Sequence, residues 1–222
     1  MDANPAMSII ISGPKILPLC STCLKAKQVS QPFSPAARWK TPGHCLHLDI
    51  AGGGSTLDTE NPLPTYGSRR YYLLVTDDVT RFRWIFLLAR KSDASESIKY
   101  LIQHLRNLGF LVARVHCDGA REFIGNGLDK VYLDNCIQYA PTPAHTSQSN
   151  GPSERAIRLV GDRYRSLLFD ANFRLELWGE ASLTSVSILN LIPSSVPLYG
   201  VIPNPQSSFE AFFGIHPSLS CK

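Results

Sequence analysis

Apolar residues recur along this chain at two spacings. From Leu46 onward, LHLDI, YYLLVTDD and RWIFLLA are short apolar runs, with the turn-rich AGGGSTLDTENPLPTYG between the first two and VTRF between the last two. Runs of this length and punctuation predict a strand, a long loop and a hairpin. From Ser92 the period changes. Ile98, Leu101, Ile102, Leu105 and Leu108 fall on one helical face, with Ser92 or Asp93 as N-cap and Gly109 just past the end. LVARVH then predicts a strand ending at Asp118, so strand, helix and strand form a right-handed crossover unit. A short helix near Leu128–Asn135 and a strand at CIQYA follow.

In SNGPSERAIRLVGDRYRSLLFD, the residues Ile157, Val160, Tyr164, Leu167 and Leu168 make a helical stripe, and Asn150 or Gly151 with Pro152 marks a start just ahead of Glu154. A last helix, from around Leu175 to Leu191, is expected to bury Trp178, Ala181 and Leu189 and to stop before Pro193. This order predicts an α/β fold, a mixed five-stranded sheet flanked by helices. Residues 1–43, with Pro14, Pro18, Pro32 and Pro35 and no sustained period, read as an irregular arm; 44–192 form the core, and 193–222 a largely irregular C-terminal extension.

Composition narrows the class. With 222 residues, 44% hydrophobic and 18% charged, the chain has enough apolar material for one main domain and excludes wholesale disorder. No apolar run reaches the roughly 18 residues of a membrane span, and the first residues lack the pattern of a signal peptide, so a nuclear or cytoplasmic protein without a membrane partner is expected. Six cysteines are too sparse for a disulfide scaffold and fit reduced thiols. A net charge of +4 permits a polyanionic partner without requiring one.

Three acids stand where an acid needs a reason: Asp49 inside the apolar run LHLDI, Asp118 at the end of LVARVH, and Glu154 in the first turn of its helix. Two divalent ions need shared anionic oxygens to catalyse phosphoryl transfer, and such acids supply them. Each alone also has an ordinary reading. Asp118-Gly119 is a common turn pair, and Glu154 favourably meets a helix dipole. Asp49 is the least ordinary, because an unpaired carboxylate in a central strand costs several kcal/mol. Asp77 and Asp78 begin a turn before Thr80 and Arg81 and are read as structural.

Residues 119–153, 35 in all, separate Asp118 from Glu154, a spacing that resembles the D,D-35-E signature of retroviral and retrotransposon integrases. TDDVTRFRWIFLLARKSDA, HCDGAREF and HTSQSNGPSERAIRLVGDRYRSLL resemble the "DDYTRF-W-F-L-KS", "SDNGGEF" and "TPQQNG-AER-NR…ARSML" blocks of the copia-type (Pseudoviridae) long-terminal-repeat retrotransposons. LWGEASLTSVSILNLIPSSV and NPQSSFEAFFGIHPSL are similar to that family's tail, so the likeness runs from about Cys20 to Leu219.

The resemblance implies a ribonuclease H-like integrase core. It implies Asp49, Asp118 and Glu154 as catalytic ligands of two Mg2+ or Mn2+ ions, with processing and joining of DNA ends as the activity. It also implies DNA as partner and a homo-oligomer as the active form. Two departures stand beside it: Gly119-Ala120-Arg121 replaces the family's Asn-Gly-Gly, and Ser147 its usual proline. The alternatives are a nuclease of the same fold that only hydrolyses, and a catalytically inactive, nucleic-acid-binding remnant of a decayed element.

Cys20 and Cys23 have the spacing of half a zinc site and resemble the end of the zinc module that precedes this core in the family. No histidine occurs before His44. The pair is therefore read as a remnant and zinc is not expected, although His44 and Cys45 would in principle complete a four-ligand set. On the helix of Glu154, Arg158 and Arg165 follow at near-helical spacing and, with Arg155, are candidate phosphate contacts. Gln148 and Asn150 lie in the polar loop that touches DNA in the family.

Overall fold

A five-stranded sheet of order β3-β2-β1-β4-β5 organises the protein. The structure is a computed structural model that describes residues 39–53, 62–117, 121–141, 151–194 and 198–217. Its strands are β1 (Cys45–Gly52), β2 (Tyr71–Asp77), β3 (Arg83–Leu88), β4 (Arg114–Cys117) and β5 (Gln138–Pro141). The helices are α1 (Ala94–Asn107), α2 (Leu128–Asp134), α3 (Gly151–Asp170), α4 (Trp178–Leu191) and α5 (Ser208–Phe213). β1, β2 and β3 pair antiparallel, whereas β1 with β4 and β4 with β5 are parallel, so the sheet is mixed as the element order predicts.

Strand alternation divides the side chains between two cores. On one face Leu46, Leu48, Leu73, Val75 and Val115 pack with Ile98, Leu101, Ile102 and Leu105 of α1 and with Leu128 and Tyr132 of α2. On the other, Tyr72 and Leu74 pack with Ala156, Val160, Tyr164 and Leu168 of α3 and with Trp178, Val186 and Leu189 of α4. Helices cover both faces, which is why β2 reads as a nearly continuous apolar run.

Asp93 precedes α1 as the sequence predicts, but its side chain does not cap that helix. Its Oδ2 accepts the Arg90 amide at 3.0 Å, closing the 3-10 turn Lys91–Asp93 that leads into α1, whereas Gly109 turns the chain past the other end at φ +86° as expected. Asn190 clamps α4 to the edge strand: its Nδ2 donates to the Arg83 carbonyl at 2.8 Å and its Oδ1 accepts the Arg83 amide at 3.0 Å. This reciprocal pair occupies backbone groups of β3, an edge strand.

Three expectations change. β4 starts at Arg114, not Leu111, because Leu111 is 65% exposed and leads the chain around the end of α1. Ala181 is only half-buried. The closing stretch is not irregular throughout: α5 is capped by Ser207, whose hydroxyl accepts the Glu210 amide at 3.2 Å, while Glu210 Oε2 accepts the Gln206 amide at 2.8 Å. Gly214 ends the helix at φ +71°. Phe212 of α5 is fully buried in the α1-side core, its ring 4.4 Å from Phe110 and 5.2 Å from Phe82 between centroids. A six-residue helix that supplies a core aromatic has a tertiary reason to form that its own length does not provide.

Candidate functional site

β1 carries its chemistry on one face. Leu46 and Leu48 point into the α1-side core, so Cys45, His47, Asp49 and Ala51 point towards the α3 side. The register agrees, since Asp49 lies opposite Leu74 and Ala51 opposite Tyr72, both core partners of α3. Asp49 is half-buried in mid-strand, and its charge adds to burial and Tyr164 in holding the Tyr72 hydroxyl protonated. α3 packs across β1 and β2, and its first turn carries Glu154 on the exposed side. Asp49 thus lies on the sheet face that α3 covers, and Glu154 lies on the solvent side of that helix's first turn.

Asp118 lies outside the described residues; β4, beside β1, ends at Cys117. Gln148, Asn150, Cys20 and Cys23 also lie outside them. Arg155 and Arg158 are exposed on α3. Arg165 is drawn down: its Nη2 donates to Asp162 Oδ1 at 2.6 Å, and its guanidinium sits 5.7 Å from the Tyr164 ring centroid. Among the described residues no ion pair within 4.0 Å joins Arg158 to Glu154 or Asp162, so the arginine that pairs with Asp162 is Arg165.

Asp77 proves structural. Its Oδ1 accepts the Gly43 amide at 2.8 Å, and its Oδ2 accepts the Thr80 amide and hydroxyl, each at 2.8 Å. Burial pushes its pKa above the ordinary 3.8, against the pull of those donors.

Asp78 belongs to a group the sequence reading did not assemble. Its Oδ1 lies 3.2 Å from His47 Nε2, and one donor atom each of Cys45, His47 and Asp78 lie within 4.8 Å of one another. Arg81 Nη1 also reaches Asp78 Oδ1 at 3.4 Å. Cys45 is 1% exposed and His47 9%. Burial, then Asp78 and Asp77, push the Cys45 thiol up to about 12. His116 stacks on His47 with ring centroids 5.3 Å apart, and burial lowers its pKa. Cys45 and His47 at alternate strand positions were a sequence signal for a shared face. Asp78 arrives only through the β1–β2 register, which the sequence does not print.

Asp49 thus shares the α3-side face of the sheet with a second donor set, and Glu154 stands exposed on α3. Asp49 and Glu154 offer hard oxygens of the kind that suits Mg2+ or Mn2+, and Cys45, His47 and Asp78 offer sulfur, nitrogen and oxygen. Among the described residues no helix is long and apolar enough to cross a membrane.

No protein-family model matches the chain. It is 27% identical over 218 residues to the retrovirus-related Pol polyprotein from transposon RE1 of Arabidopsis thaliana, which covers 97% of this chain and 14% of that polyprotein. The chain thus spans about one seventh of the length of that relative. Among solved structures, it resembles a chain of the simian T-cell lymphotropic virus intasome in complex with the PP2A regulatory subunit B56 gamma. The TM-score is 0.59 at 15% identity, covering 91% of this chain and 65% of that one. The HTLV-2 integrase catalytic core domain in complex with magnesium matches at TM-score 0.52 and 14% identity, covering 77% of this chain and 97% of that one. The fold is therefore the ribonuclease H-like fold of integrase catalytic cores.

Proposed function

We propose that this chain, whose likenesses support an integrase core of the retroviral integrase superfamily, is a polynucleotidyl transferase that processes and joins DNA ends. The observation that carries the reading is Asp49: a carboxylate in the middle of β1, on the face covered by the helix whose first turn holds Glu154. With Asp118, the residue after β4, these acids would hold two divalent ions, and the magnesium in the similar HTLV-2 core supports Mg2+ or Mn2+ as the metal. The donor chemistry fits, since all three are carboxylates and hard cations take oxygen ligands.

Bound there, the ions would supply Lewis-acid activation of the attacking oxygen and stabilisation of the leaving one. The protein's own residues position the reaction. Water or a DNA 3′-hydroxyl attacks a phosphodiester in line, and no side chain acts as nucleophile. The exposed Arg155 and Arg158 neutralise backbone phosphates without reading sequence, and Gln148 and Asn150 contact DNA beside the acids. Arg165, tied to Asp162 and Tyr164, contributes by releasing that pair or by orienting the helix face. The active form is a homo-oligomer assembled on DNA, a reading the similar intasome chain supports.

The test incubates the purified chain with labelled duplex ends in Mn2+ and in Mg2+. Weak nicking or single-end joining is expected, lost in Glu154→Gln and in Asp49→Asn while salt-sensitive DNA binding persists. Cut products without joined ones assign a nuclease. Wild type as inactive as the two variants, though folded and bound to DNA, makes the chain an inactive DNA-binding remnant.

A further inference from the structure

We propose that Cys45, His47 and Asp78 form a binding site for a single zinc-class divalent ion, distinct from the carboxylate site at Asp49. The proposal goes beyond the DNA-joining reading and stands without it. The three side chains come from two strands. Cys45 and His47 alternate onto one face of β1, and Asp78 immediately follows β2, held alongside by its amide, which donates to the Cys45 carbonyl at 3.0 Å. Strand pairing therefore fixes all three backbones before any ion arrives, as a preorganised site requires.

Donor type decides the metal class. One thiol, one imidazole and one carboxylate suit Zn2+, whereas Mg2+ and Mn2+ favour oxygen sets such as that at Asp49. A tetrahedral ion with bonds of about 2.0–2.3 Å separates its ligand atoms by roughly 3.3–3.8 Å. The cluster has His47 Nε2 and Asp78 Oδ1 at 3.2 Å, with all three donor atoms within 4.8 Å. Side-chain movements of about an ångström close the difference.

Electrostatics favours a cation. Burial is the largest reason the Cys45 thiol keeps its proton and works against ion binding, while the Asp78 and Asp77 charges that add to it would attract the ion, whose binding releases that proton to solvent. Asp77 has both oxygens engaged by Gly43 and Thr80 and one His116 ring nitrogen is engaged with the Ala140 backbone, so the proposed site takes three protein ligands and water. Three protein ligands and one open position make the site coordinatively unsaturated. Arg81 Nη1, 3.4 Å from Asp78, opposes binding and has room to swing away, with its side chain 24% exposed.

The experiment uses the full reduced chain stripped of metal. Co2+ titration is expected to give one equivalent with a sulfur-to-cobalt charge-transfer band. X-ray absorption on the Zn2+-loaded chain is expected to show one sulfur at about 2.3 Å and nitrogen or oxygen at about 2.0–2.1 Å. Cys45→Ser should abolish the sulfur signal, and His47→Gln or Asp78→Asn, each removing a ligand, should weaken Zn2+ binding by more than the roughly 10–100-fold that losing an outer-shell partner costs. The double variant Cys20→Ser/Cys23→Ser should keep the band. Two sulfurs around zinc, a band that survives Cys45→Ser or disappears with Cys20→Ser/Cys23→Ser, or no binding at all, overturns the proposal and leaves His47 and Asp78 a structural ion pair. Two sulfurs on wild type overturn the proposal even if a variant fails to fold.

Discussion

Trp178 ties the chain leaving the Asp49 strand to the helical layer behind it, and replacing it with phenylalanine measures that tie. The indole is fully buried at the start of α4, and its N–H donates to the Leu63 carbonyl at 2.9 Å. An alanine Cβ at Gly53, just past β1, would overlap the ring, so the backbone there lies directly on the indole. Trp178→Phe leaves the Leu63 carbonyl without this donor, which costs about 1–3 kcal/mol, nearer the lower figure because the bond is only part-buried. The smaller ring gives up about 40 Å² of buried apolar surface, roughly 1 kcal/mol. Together about 2–4 kcal/mol is expected, out of a total stability of about 5–15 kcal/mol. Thermal unfolding followed by circular dichroism should then show a Tm lower by about 4–16 °C for a domain of this size. Trp178→Ala should cost more, about 3–5 kcal/mol. A loss below about 1 kcal/mol for Trp178→Phe, with an unchanged urea m-value, would refute the claim that this indole holds the segment after β1 to α4.

Phe212→Ala tests whether α5 is part of the core: a ring with no exposed surface should cost about 3–5 kcal/mol in urea unfolding, and a near-neutral result would detach α5 from it. Glu210 gives a pH signature. Its carboxylate accepts from His216 Nδ1 and from the Gln206 amide, which hold its folded pKa below the ordinary 4.5. Its contribution is therefore present above pH 4.5 and lost as pH falls through the lower folded value, so Tm measured down to pH 3 should fall less in Glu210→Gln than in wild type. Equal slopes would remove Glu210 from the acid response. On DNA, Arg158→Ala should weaken binding to all sequences alike and reduce the salt slope by about one, whereas Arg165→Ala, already paired to Asp162, should change it less. Identical slopes for Arg158→Ala and wild type would return Arg158 to an ordinary solvated face.

Legibility in the sequence followed the range of the interactions involved. α1 was readable because its stripe and its Gly109 stop are local, although the Asp93 side chain turns back to Arg90 rather than capping the helix. The α3 stripe was readable for the same reason, and with it the turn that holds Glu154. The start of β4 was not, because Leu111 and Val112 look as strand-like as Val115, and only the packing of α1 and β1 decides where pairing begins. α5 has a local signature, since Ser207 followed three residues later by Glu210 is the sequence pattern of a capping box and Gly214 is its stop. Periodicity over six residues is too short to register, and its reason to fold is Phe212 in a core built by distant segments.

The same distinction separates the two donor sets on β1. Asp49 announces itself, because an acid inside LHLDI interrupts an apolar run. Cys45 and His47 do not, since a small thiol and an aromatic ring fit a buried strand without remark, and their partner Asp78, 31 residues after His47, is placed by strand pairing. What brings all of them to one face is register. Asp49 opposite Leu74 fixes β1 against β2, and His47 opposite His116 fixes it against β4. A slip of one residue in either pairing would turn Leu46 and Leu48 towards α3 and drive Cys45, His47 and Asp49 into the α1-side core. The apolar alternation that stabilises the sheet is thus also what selects which side of β1 can carry chemistry, and two neighbours rather than one hold that choice in place.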